Sequence, residues 1–528
     1  MYKNELKKVF TSVFLIAFAS FTNAKTLTIM VTDTRYQHVT GFGAACCDGA
    51  MCPYGTDTQP VRLLYGPKSK IGLNIMRMEI SPNFEGDIIV PEWGNYDTPY
   101  DWQGSVPSAK YVKQQGGIVF GTPWSPPGNY KTNGSASGGK TDEVSTRQEG
   151  RLREDCYDKF FPWINTFLTY MKSKGVLVDA VSIQNEPDWW VNYSGCLYTP
   201  EQQLNLVKNY AHMLDRKKFP NVRLISAEPL GFDPKYSNML LNDATAREQI
   251  DIIAGHLYGH PPLGNMKSSA VLAAKYNKEV WMTEHSSTDH INHLPTWHEQ
   301  LLFAEELNEC MLSGCTGYIY WYMRAHWAFV GTGEPVELDG IKYTIAGNVK
   351  NKLLPRAYVM SHFSKHVTGS TRLGVKSTAG ESTEAPIEYS AYTKGDSLIV
   401  MAIDTTSTAY DLKIKLPCKV QSGTHLLSTG NETANLCQNN PITIDEPTQE
   451  LIVSMPARSL NTYIFMIEPE ETAIRSITPM ANAQSSKVNE KGVYDLSGRK
   501  VNSQLSTPNS QLPKGIYIKS GKKLYINR

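Results

Sequence analysis

The chain has 528 residues and a formal net charge of +1, so electrostatics give no reason to expect a nucleic acid or an anionic membrane as partner. Hydrophobic residues make up 41% and charged residues 20% of the sequence, which is ordinary for a globular protein. The length suits one large domain with smaller accessory domains.

Residues 1–24 have the pattern of a secretory signal peptide. Lysines precede an apolar run from Val9 to Phe21, and Thr22–Ala24 offers small residues at a cleavage site. The run is too short for a transmembrane helix, and no other apolar stretch reaches spanning length. The sequence therefore predicts an exported protein, secreted or at the cell surface, without a membrane span.

Residues 39–365 are interpreted as a barrel domain, because apolar strand-like runs alternate there with amphipathic helices. The predicted strands are Val39–Cys46, Gly72–Ser81, Gly117–Trp124, Val178–Glu186, Val222–Glu228, Ile250–Tyr258, Glu279–Glu284 and Cys315–Tyr322. The helix-like segments include Asp155–Lys174, Thr199–Lys217 and Pro295–Leu312. Thr199 opens its helix with a capping pattern. Eight such units favour a (β/α)8 TIM barrel in the α/β class, and a doubly wound sheet is disfavoured because no glycine-rich phosphate loop follows a strand.

After about residue 365 and as far as Ile467, the sequence shows period-two alternation with turn signals. This pattern predicts an antiparallel β-sandwich over residues 366–467. Residues 25–38 also alternate and are expected to contribute a strand to that side domain. Residues 468–490 are polar and mixed, as in a linker. Residues 491–528 carry two further strand–turn repeats and are expected to form a small C-terminal β domain.

Two strings end in a glutamate at the close of a predicted strand. One is Ser182-Ile183-Gln184-Asn185-Glu186-Pro187 and the other is Trp281-Met282-Thr283-Glu284-His285. The two glutamates are 98 residues apart, which leaves room for three strand–helix units. Barrel chemistry occurs at the C-terminal ends of the strands, and two carboxylates facing one cavity are the minimum needed to cut a glycosidic bond.

Glu186 is distinguished from other strand-end glutamates by its neighbours. The amide of Asn185 can bond a sugar 2-hydroxyl, and Pro187 is expected to restrict Glu186 to an extended backbone. Glu228 has the same Glu-Pro step but follows Ala227, so we do not assign it a reacting role.

Arg77 ends the second predicted strand and is expected to keep the nucleophilic carboxylate ionised, since a glycosidase needs one carboxyl charged and one protonated. The alternative is that strand-end glutamates and this arginine form structural ion pairs.

Aromatic residues cluster in or just after the strand ends, where their flat faces could pack against sugar rings. They are Trp124, Trp189, Trp190, Tyr258, Trp281, Trp321, Tyr322 and Trp327. Core packing is the alternative for any one of them. His256 and His260 flank Tyr258, but no third ligand has metal-site spacing, so we expect no metal and no cofactor.

The nine cysteines leave their pairing open. Cys418 and Cys437 could bridge a hairpin, whereas Cys46, Cys47 and Cys52 lack metal-site spacing.

The strings resemble those of glycoside hydrolase family 30, most closely its bacterial xylanase branch, the glucuronoxylanases. The resemblance runs in order from about residue 38 to 467. The strings are Gly41-Phe42-Gly43, Trp124-Ser125-Pro126-Pro127, Gln184 to Asp188, His256-Leu257-Tyr258-Gly259, Trp281 to Glu284, Tyr320 to Arg324, Ser361 to Lys365 and Ser390-Ala391-Tyr392.

This resemblance implies a barrel fused to a β-sandwich built from both ends of the catalytic chain, with xylan as the polysaccharide substrate. It implies that Glu186 is the acid/base and Glu284 the nucleophile of a retaining mechanism, with their carboxyl groups about 5 Å apart. The candidate substrate-binding residues are Arg77, Trp124, Asn185, His256, Tyr258, Trp281, Trp321, Tyr322 and Arg324.

The chain departs from that branch after the eighth strand. Glucuronoxylanases usually have two adjacent arginines there, the second of which grips a glucuronic acid carboxylate; here Arg324 is followed by Ala325 and His326. Neither side chain can reproduce an arginine fork. A glucuronoxylanase and a plain endo-xylanase both remain open.

The tail resembles the C-terminal sorting domain of the type IX secretion route of Bacteroidetes, on Val493–Val501 and Leu512–Tyr517. That resemblance implies the type IX machinery as a partner, and a small β module without a sorting role is the alternative. We expect a monomer.

Two other functions remain alternatives: a glucosylceramidase or β-1,6-glucanase of the same family, and a non-catalytic carbohydrate-binding surface protein. The second should lack a reacting carboxylate, and here both stand in intact strings.

Overall fold

The computed structural model describes residues 25–46, 58–82, 102–141, 148–259, 262–286, 293–338, 340–377, 387–468 and four short strands between 493 and 526. The predicted signal peptide, Cys47, Cys52, His260 and nearly all of the predicted linker lie outside the described residues. The chain divides into two compact units, residues 1–469 and 470–528.

The first described element, β1 (Lys25–His38), belongs to the side domain, and a closed parallel barrel follows it. The barrel strands are β2 (Gly41–Ala45), β3 (Ile75–Glu79), β4 (Ile118–Thr122), β5 (Ala180–Ser182), β6 (Arg223–Ile225), β7 (Ile252–His256), β8 (Glu279–Glu284) and β9 (Gly317–Tyr320). Each lies within a run predicted as a strand, and the predicted TIM barrel is confirmed.

Helices surround this barrel. They are α1 (Gln59–Leu64), α2 (Val106–Gln114), α3 (Tyr157–Ser173), α4 (Pro200–Tyr210), α5 (Pro234–Asn242), α6 (Ala244–Gln249), α7 (Pro262–Lys275), α8 (Trp297–Leu312) and α9 (Pro355–Ser364). The predicted cap is present: the Gln202 N–H donates to Thr199 Oγ1 (3.2 Å), and the Thr199 N–H donates to Gln202 Oε1 (2.9 Å). A short hairpin of β10 (Val336–Leu338) and β11 (Ile341–Tyr343) lies in the long segment after β9.

Alternation along the barrel strands stacks two layers of side chains inside the barrel. The lower layer is an apolar plug, fully or almost fully buried, made of Ile75, Phe120, Ala180, Ile225, Ile252, Ala254, Trp281 and Ile319. Two residues further along four of these strands, the interior becomes polar, with Arg77, Thr122, Ser182 and His256. The polar layer therefore lies at the C-terminal mouth of the barrel.

A β-bulge in β8 places the end of that strand in the polar layer. Gly255 pairs with Met282, but the next residue, His256, pairs with Glu284, so Thr283 is an extra residue. Simple alternation would send Trp281 and Glu284 to opposite faces. The bulge lets both side chains enter the barrel.

The side domain is a sheet folded on itself, and this predicted second sheet-rich domain is confirmed. Its strands after β1 are β12 (Thr371–Ser377), β13 (Ile387–Lys394), β14 (Ser397–Asp404), β15 (Tyr410–Ser428), β16 (Gln438–Ile442), β17 (Thr448–Met455) and β18 (Ser459–Ile467). The long β15 pairs with β1 and β17 along its first half and with β16 and β18 along its second. The fold encloses its own apolar cluster.

Buried polar contacts join the barrel to this sheet. His362 of α9 contacts Thr462 Oγ1 through Nδ1 and Ser428 Oγ through Nε2, each at 2.8 Å. Trp297 Nε1 at the start of α8 donates to the Arg458 carbonyl (2.6 Å).

The suggested Cys418–Cys437 bridge is wrong, since both cysteines are free thiols. Cys418 lies ten residues before Ser428 on β15, whereas Cys437 lies beside Ser428, whose Oγ accepts from the Cys437 N–H (2.8 Å). An extended strand separates the two positions by about 30 Å, far beyond disulfide reach.

In the C-terminal unit, β19 (Val493–Asp495), β20 (Lys500–Val501), β21 (Gly515–Lys519) and β22 (Lys522–Ile526) form an antiparallel sheet in the order β20-β19-β21-β22. No helix among the described residues is both long and apolar enough to cross a bilayer.

Candidate active site

Arg77 is the centre of the polar layer and has no exposed surface. Its Nη1 donates to Glu284 Oε2 (2.6 Å), and its Nη2 donates to Asn185 Oδ1 (2.7 Å). The same Nη2 lies 3.0 Å from Glu228 Oε2. One guanidinium on β3 thus links the ends of three other strands.

The side chains of Glu186, His256 and Glu284 converge beside this arginine. One carboxylate oxygen of each glutamate and one ring nitrogen of His256 all lie within 4.8 Å of one another. Both glutamates are nearly buried, at 8% and 6% exposure, so their charges interact through a poorly solvated space. The structure therefore brings together the two carboxylates that the strings placed 98 residues apart.

The expectation of an extended backbone at Glu186 is wrong: its φ is +43°, in the left-handed region. Backbone contacts on both sides hold this conformation. The Glu186 N–H donates to the Glu228 carbonyl (2.9 Å), and the Glu186 carbonyl accepts from the Trp189 N–H (3.1 Å). These hydrogen bonds to Glu228 and Trp189, rather than the following proline, set the direction in which the Glu186 carboxylate points.

His256 lies between the carboxylates, with both ring nitrogens facing acidic groups. Nδ1 is 3.0 Å from Glu186 Oε1, and Nε2 is 3.4 Å from Glu228 Oε2 and 3.9 Å from Glu284 Oε2. Burial alone would lower the pKa of His256, but the charge of Glu284 and the contacts with Glu186 and Glu228 raise it to about 9. The ring is therefore a cation at neutral pH.

Glu228, which the sequence reasoning set apart as unreactive, lies inside the site but behind it. It is fully buried, and its Oε1 accepts from Thr122 Oγ1 (2.8 Å). Burial alone would raise the pKa of Glu228, but the charge of Arg77 and the contact with His256 hold it at about 2. This carboxylate is a fixed anion below the cleft.

Glu284 has two donors and a raised pKa. Arg77 binds Oε2, and the Tyr258 hydroxyl donates to Oε1 (3.3 Å). Burial raises the pKa of Glu284 above its ordinary value, opposed by the charges of His256 and Arg77 and assisted by Glu186. Arg77 was expected to hold this group ionised; it limits the rise rather than producing a low pKa.

Aromatic side chains form one wall of the cleft. Trp124, Tyr193, Trp321 and Tyr322 make one cluster, with the rings of Trp124 and Trp321 5.8 Å apart. The guanidinium of Arg77 lies 4.5 Å from the Trp124 ring centroid. Sequence reasoning missed Tyr193, which follows no strand directly; burial and the charges of Glu186 and Glu284 raise its pKa.

Trp281 was predicted to contact substrate, and this is wrong. It is fully buried in the apolar plug, its ring 5.5 Å from Phe120, and Nε1 donates to Glu279 Oε2 (2.8 Å) at the other end of the strand. The other rim tryptophans differ in exposure: Trp189 is 46% exposed, and Trp327 packs half-buried against the core.

The string after β9 enters the packed interior at its second position. Ala325 and His326 are buried, each at 4% exposure, and Ala325 packs in the main core. Arg324 is half-buried and pairs through its backbone with Val330. The position at which the related branch carries its second arginine is therefore part of the packed interior.

Comparisons with known proteins agree with this geometry. The sequence pattern described as the Glycosyl hydrolase family 30 TIM-barrel domain matches residues 98–297. Over these residues the barrel matches glycosyl hydrolase family 30. Its strand-end glutamates lie at the end of the barrel where TIM barrels keep their chemistry.

Three similar proteins illustrate the range. The glucuronoxylanase XynC of Bacillus subtilis is 26% identical over 412 residues, covering 75% of this chain and 82% of that protein. The lysosomal acid glucosylceramidase of Mus musculus is 23% identical over 449 residues, covering 76% and 81%. The crystal structure of the subfamily 8 xylanase Xyn30A of Clostridium acetobutylicum has a TM-score of 0.66 at 27% identity, covering 84% of this chain and 99% of that one.

Glu186, His256 and Glu284 have the ligand types of a cation site, and the sequence spacing had not predicted that His256 lies beside the two carboxylates. The contacts argue against that reading. Both nitrogens of His256 lie near carboxylate oxygens, and a pKa of about 9 leaves a proton on each of them at neutral pH, so neither offers a lone pair. Arg77 already neutralises Glu284.

A buried lysine shapes the cleft wall that carries Tyr193. Lys131, at 1% exposure, donates through Nζ to the carbonyls of Ala136 (3.0 Å), Ser137 (2.7 Å) and Gly195 (2.6 Å). The Gly138 N–H also donates to the Tyr193 carbonyl (2.7 Å). Two loops are thereby tied together at the cleft.

We expect Lys131→Met to lower the free energy of unfolding by about 2–4 kcal/mol, because the buried Gly195 carbonyl and the part-buried carbonyls of Ala136 and Ser137 lose a charged donor. It should also raise KM by loosening the wall that holds Tyr193. Urea unfolding and steady-state kinetics measure the two effects.

The matched control is Lys140→Met in the same segment, where the ammonium is exposed and lies 5.4 Å from the Trp189 ring. Lys140→Met should lower the free energy of unfolding by less than about 1 kcal/mol. Equal losses in the two variants would contradict the anchoring role of Lys131.

Proposed function

We propose that the protein is a secreted, retaining endo-β-1,4-xylanase in which Glu186 is the acid/base and Glu284 the nucleophile. The observation that carries the proposal is the approach of the two carboxylates to within 4.8 Å at the barrel mouth. Retaining glycosidases hold their carboxyl groups about 5 Å apart, whereas inverting enzymes leave several ångströms more for a water.

In the first step, a carboxylate oxygen of Glu284 bonds to the anomeric carbon while the glycosidic C–O bond breaks. Glu186 gives its proton to the departing oxygen and becomes a carboxylate. Arg77 holds Oε2 of Glu284 at 2.6 Å, and the longer Tyr258 contact leaves Oε1 as the attacking oxygen. A glycosyl ester on Glu284 results.

In the second step, Glu186 takes a proton from water, whose oxygen bonds to the anomeric carbon as the ester bond to Glu284 breaks. Two inversions at one carbon give net retention. Glu186 ends protonated and Glu284 ends as a carboxylate, so both groups are ready for another turnover.

Xylan is proposed as substrate because the strings are those of the xylanase branch, and because glucuronoxylanase XynC and xylanase Xyn30A are among the relatives. The aromatic wall offers apolar faces for pyranose rings. We propose that a glucuronic acid side group is not required, since the buried Ala325 offers no charged fork.

Export is proposed from residues 1–24, and passage through a type IX secretion machinery from the resemblance of the C-terminal tail. Outer-membrane transport would bring the enzyme to a polymer too large to enter the cell.

The first-formed reducing end should have the β configuration. Proton NMR of a xylo-oligosaccharide digest, recorded within minutes of adding enzyme, resolves the two anomers before mutarotation mixes them. An initial α signal would mean inversion and would contradict the double-displacement mechanism.

Glu284→Gln should lower kcat on xylan by about a thousandfold or more while the protein stays folded, because the nucleophile is lost. The matched control is Glu279→Gln at the opposite end of the same strand, where the carboxylate bonds Trp281 and Arg223 and is remote from the mouth. The control should keep more than half of the activity; near-normal turnover by Glu284→Gln would disprove the assignment.

Glucuronoxylan, arabinoxylan and unsubstituted xylan should all be cut, with products of mixed length that bear no fixed relation to glucuronic acid. Sizing the products by mass spectrometry decides this. Products ending at a constant distance from glucuronic acid would contradict the proposal that a glucuronic acid side group is not required. Activity confined to β-1,6-glucan or a lipid glucoside would favour the other family specificities, and binding without any product would favour a non-catalytic role.

A further inference from the structure

We propose that Glu228 is a positioning residue that decides which oxygen of Glu186 carries the transferable proton. It acts through His256, which it keeps as a donor toward Oε1 of Glu186, so that the proton for the glycosidic oxygen lies on Oε2. This inference rests on the proposed acid/base role of Glu186.

Glu228 is placed to act through its neighbours and not on substrate. Its side chain has no exposed surface, and one oxygen, Oε2, lies near both Arg77 Nη2 (3.0 Å) and His256 Nε2 (3.4 Å). Each of these cations in turn contacts one carboxylate of the cleft: Arg77 binds Glu284, and His256 faces Glu186. The Glu228 carboxylate is thus linked to each reacting carboxylate through one intervening side chain, Arg77 or His256.

The backbone makes this arrangement rigid. The Glu228 N–H donates to the Gln184 carbonyl, and the Glu228 carbonyl accepts from the Glu186 N–H, each at 2.9 Å. The two glutamates therefore cannot move independently along the strand direction. Thr122 Oγ1 fixes the second carboxylate oxygen of Glu228 at 2.8 Å.

The state of the imidazole follows from these contacts. A ring with a carboxylate at each nitrogen is a double donor, with Nδ1–H toward Glu186 and Nε2–H toward Glu228. The raised pKa of His256, about 9, agrees with this geometry.

The consequence for Glu186 is a choice between its two oxygens. Since Nδ1–H donates to Oε1, the acid proton of Glu186 is excluded from Oε1 and occupies Oε2. A neutral imidazole protonated only on Nε2 would instead present the Nδ1 lone pair, which would accept the acid proton and hold it away from the glycosidic oxygen.

Charged and titratable groups on or just after five barrel strands influence the protonation of His256. They are Arg77 on β3, Glu186 and Asp188 after β5, Glu228 after β6, Tyr258 after β7 and Glu284 on β8. Among the carboxylates at hydrogen-bonding distance from the ring, Glu228 alone is expected to keep its charge through both steps, because Glu186 alternates between acid and base.

The test uses Glu228→Gln in the full-length enzyme and two aryl β-xylobiosides, one with a 4-methoxyphenol leaving group and one with 2,4-dinitrophenol. The value of kcat/KM reports the first step, in which the poor leaving group needs a proton and the good one does not. We expect kcat/KM to fall about a hundredfold or more for the methoxyphenyl substrate and less than about fivefold for the dinitrophenyl substrate.

Glu228→Asp is the matched control, because it keeps the charge and shortens the side chain. Any loss of rate in that variant should affect both substrates by the same factor, so the ratio between them should stay within about threefold of the wild-type ratio. Equal losses on both substrates in folded Glu228→Gln would mean a purely structural role and would overturn the inference.

A measurement on the wild-type protein stands even if Glu228→Gln does not fold. Nitrogen-15 NMR of histidine-labelled enzyme, with the His256 signal assigned from a His256→Asn sample, should show a doubly protonated ring at pH 7. A neutral ring would overturn the inference without bearing on activity. Absence of turnover by the wild-type enzyme on every xyloside would instead contradict the proposed function, and the NMR result would still decide the state of His256.

Discussion

Arg77 brings a permanent positive charge into the interior of a closed barrel, and the arrangement of the site depends on satisfying it. A guanidinium removed from water needs anions and acceptors around its fork, which Glu284, Glu228 and Asn185 supply. The face of the guanidinium lies against Trp124. Carboxylates that would repel one another can therefore share a small volume, and His256 adds the second cation that this crowding requires.

The spacing of hydrophobic residues along the sequence predicted most of the architecture. All eight barrel strands lie within predicted runs, because strands buried on both faces appear as short apolar stretches bounded by turn residues. The meeting of Glu186 and Glu284 followed from strand ends sharing one rim. The side domain was also visible, since its strands alternate where barrel strands do not.

What the sequence did not reveal are the local departures from regular geometry. The extra residue Thr283 brings Glu284 to the same interior face as Trp281, and nothing in the string marks a bulge. The positive φ of Glu186 is held by a hydrogen bond to Glu228, which is far away in sequence, as well as by one from nearby Trp189. Glu228 was set aside because its neighbours lack an amide, although its role comes from spatial contacts with Arg77 and His256.

Among the described residues, the apolar plug beneath the polar layer closes the barrel from below, so the reacting carboxylates are reached from the C-terminal mouth. Ile75, Phe120 and Trp281 leave no exposed surface under Arg77. In a double displacement, the departing half of the polymer and the incoming water must then use the same passage, one after the other. In the proposed mechanism, a sugar that lingers at this mouth would keep water out and would itself take the place of water, so the shape of the mouth would set the balance between cutting chains and rejoining them.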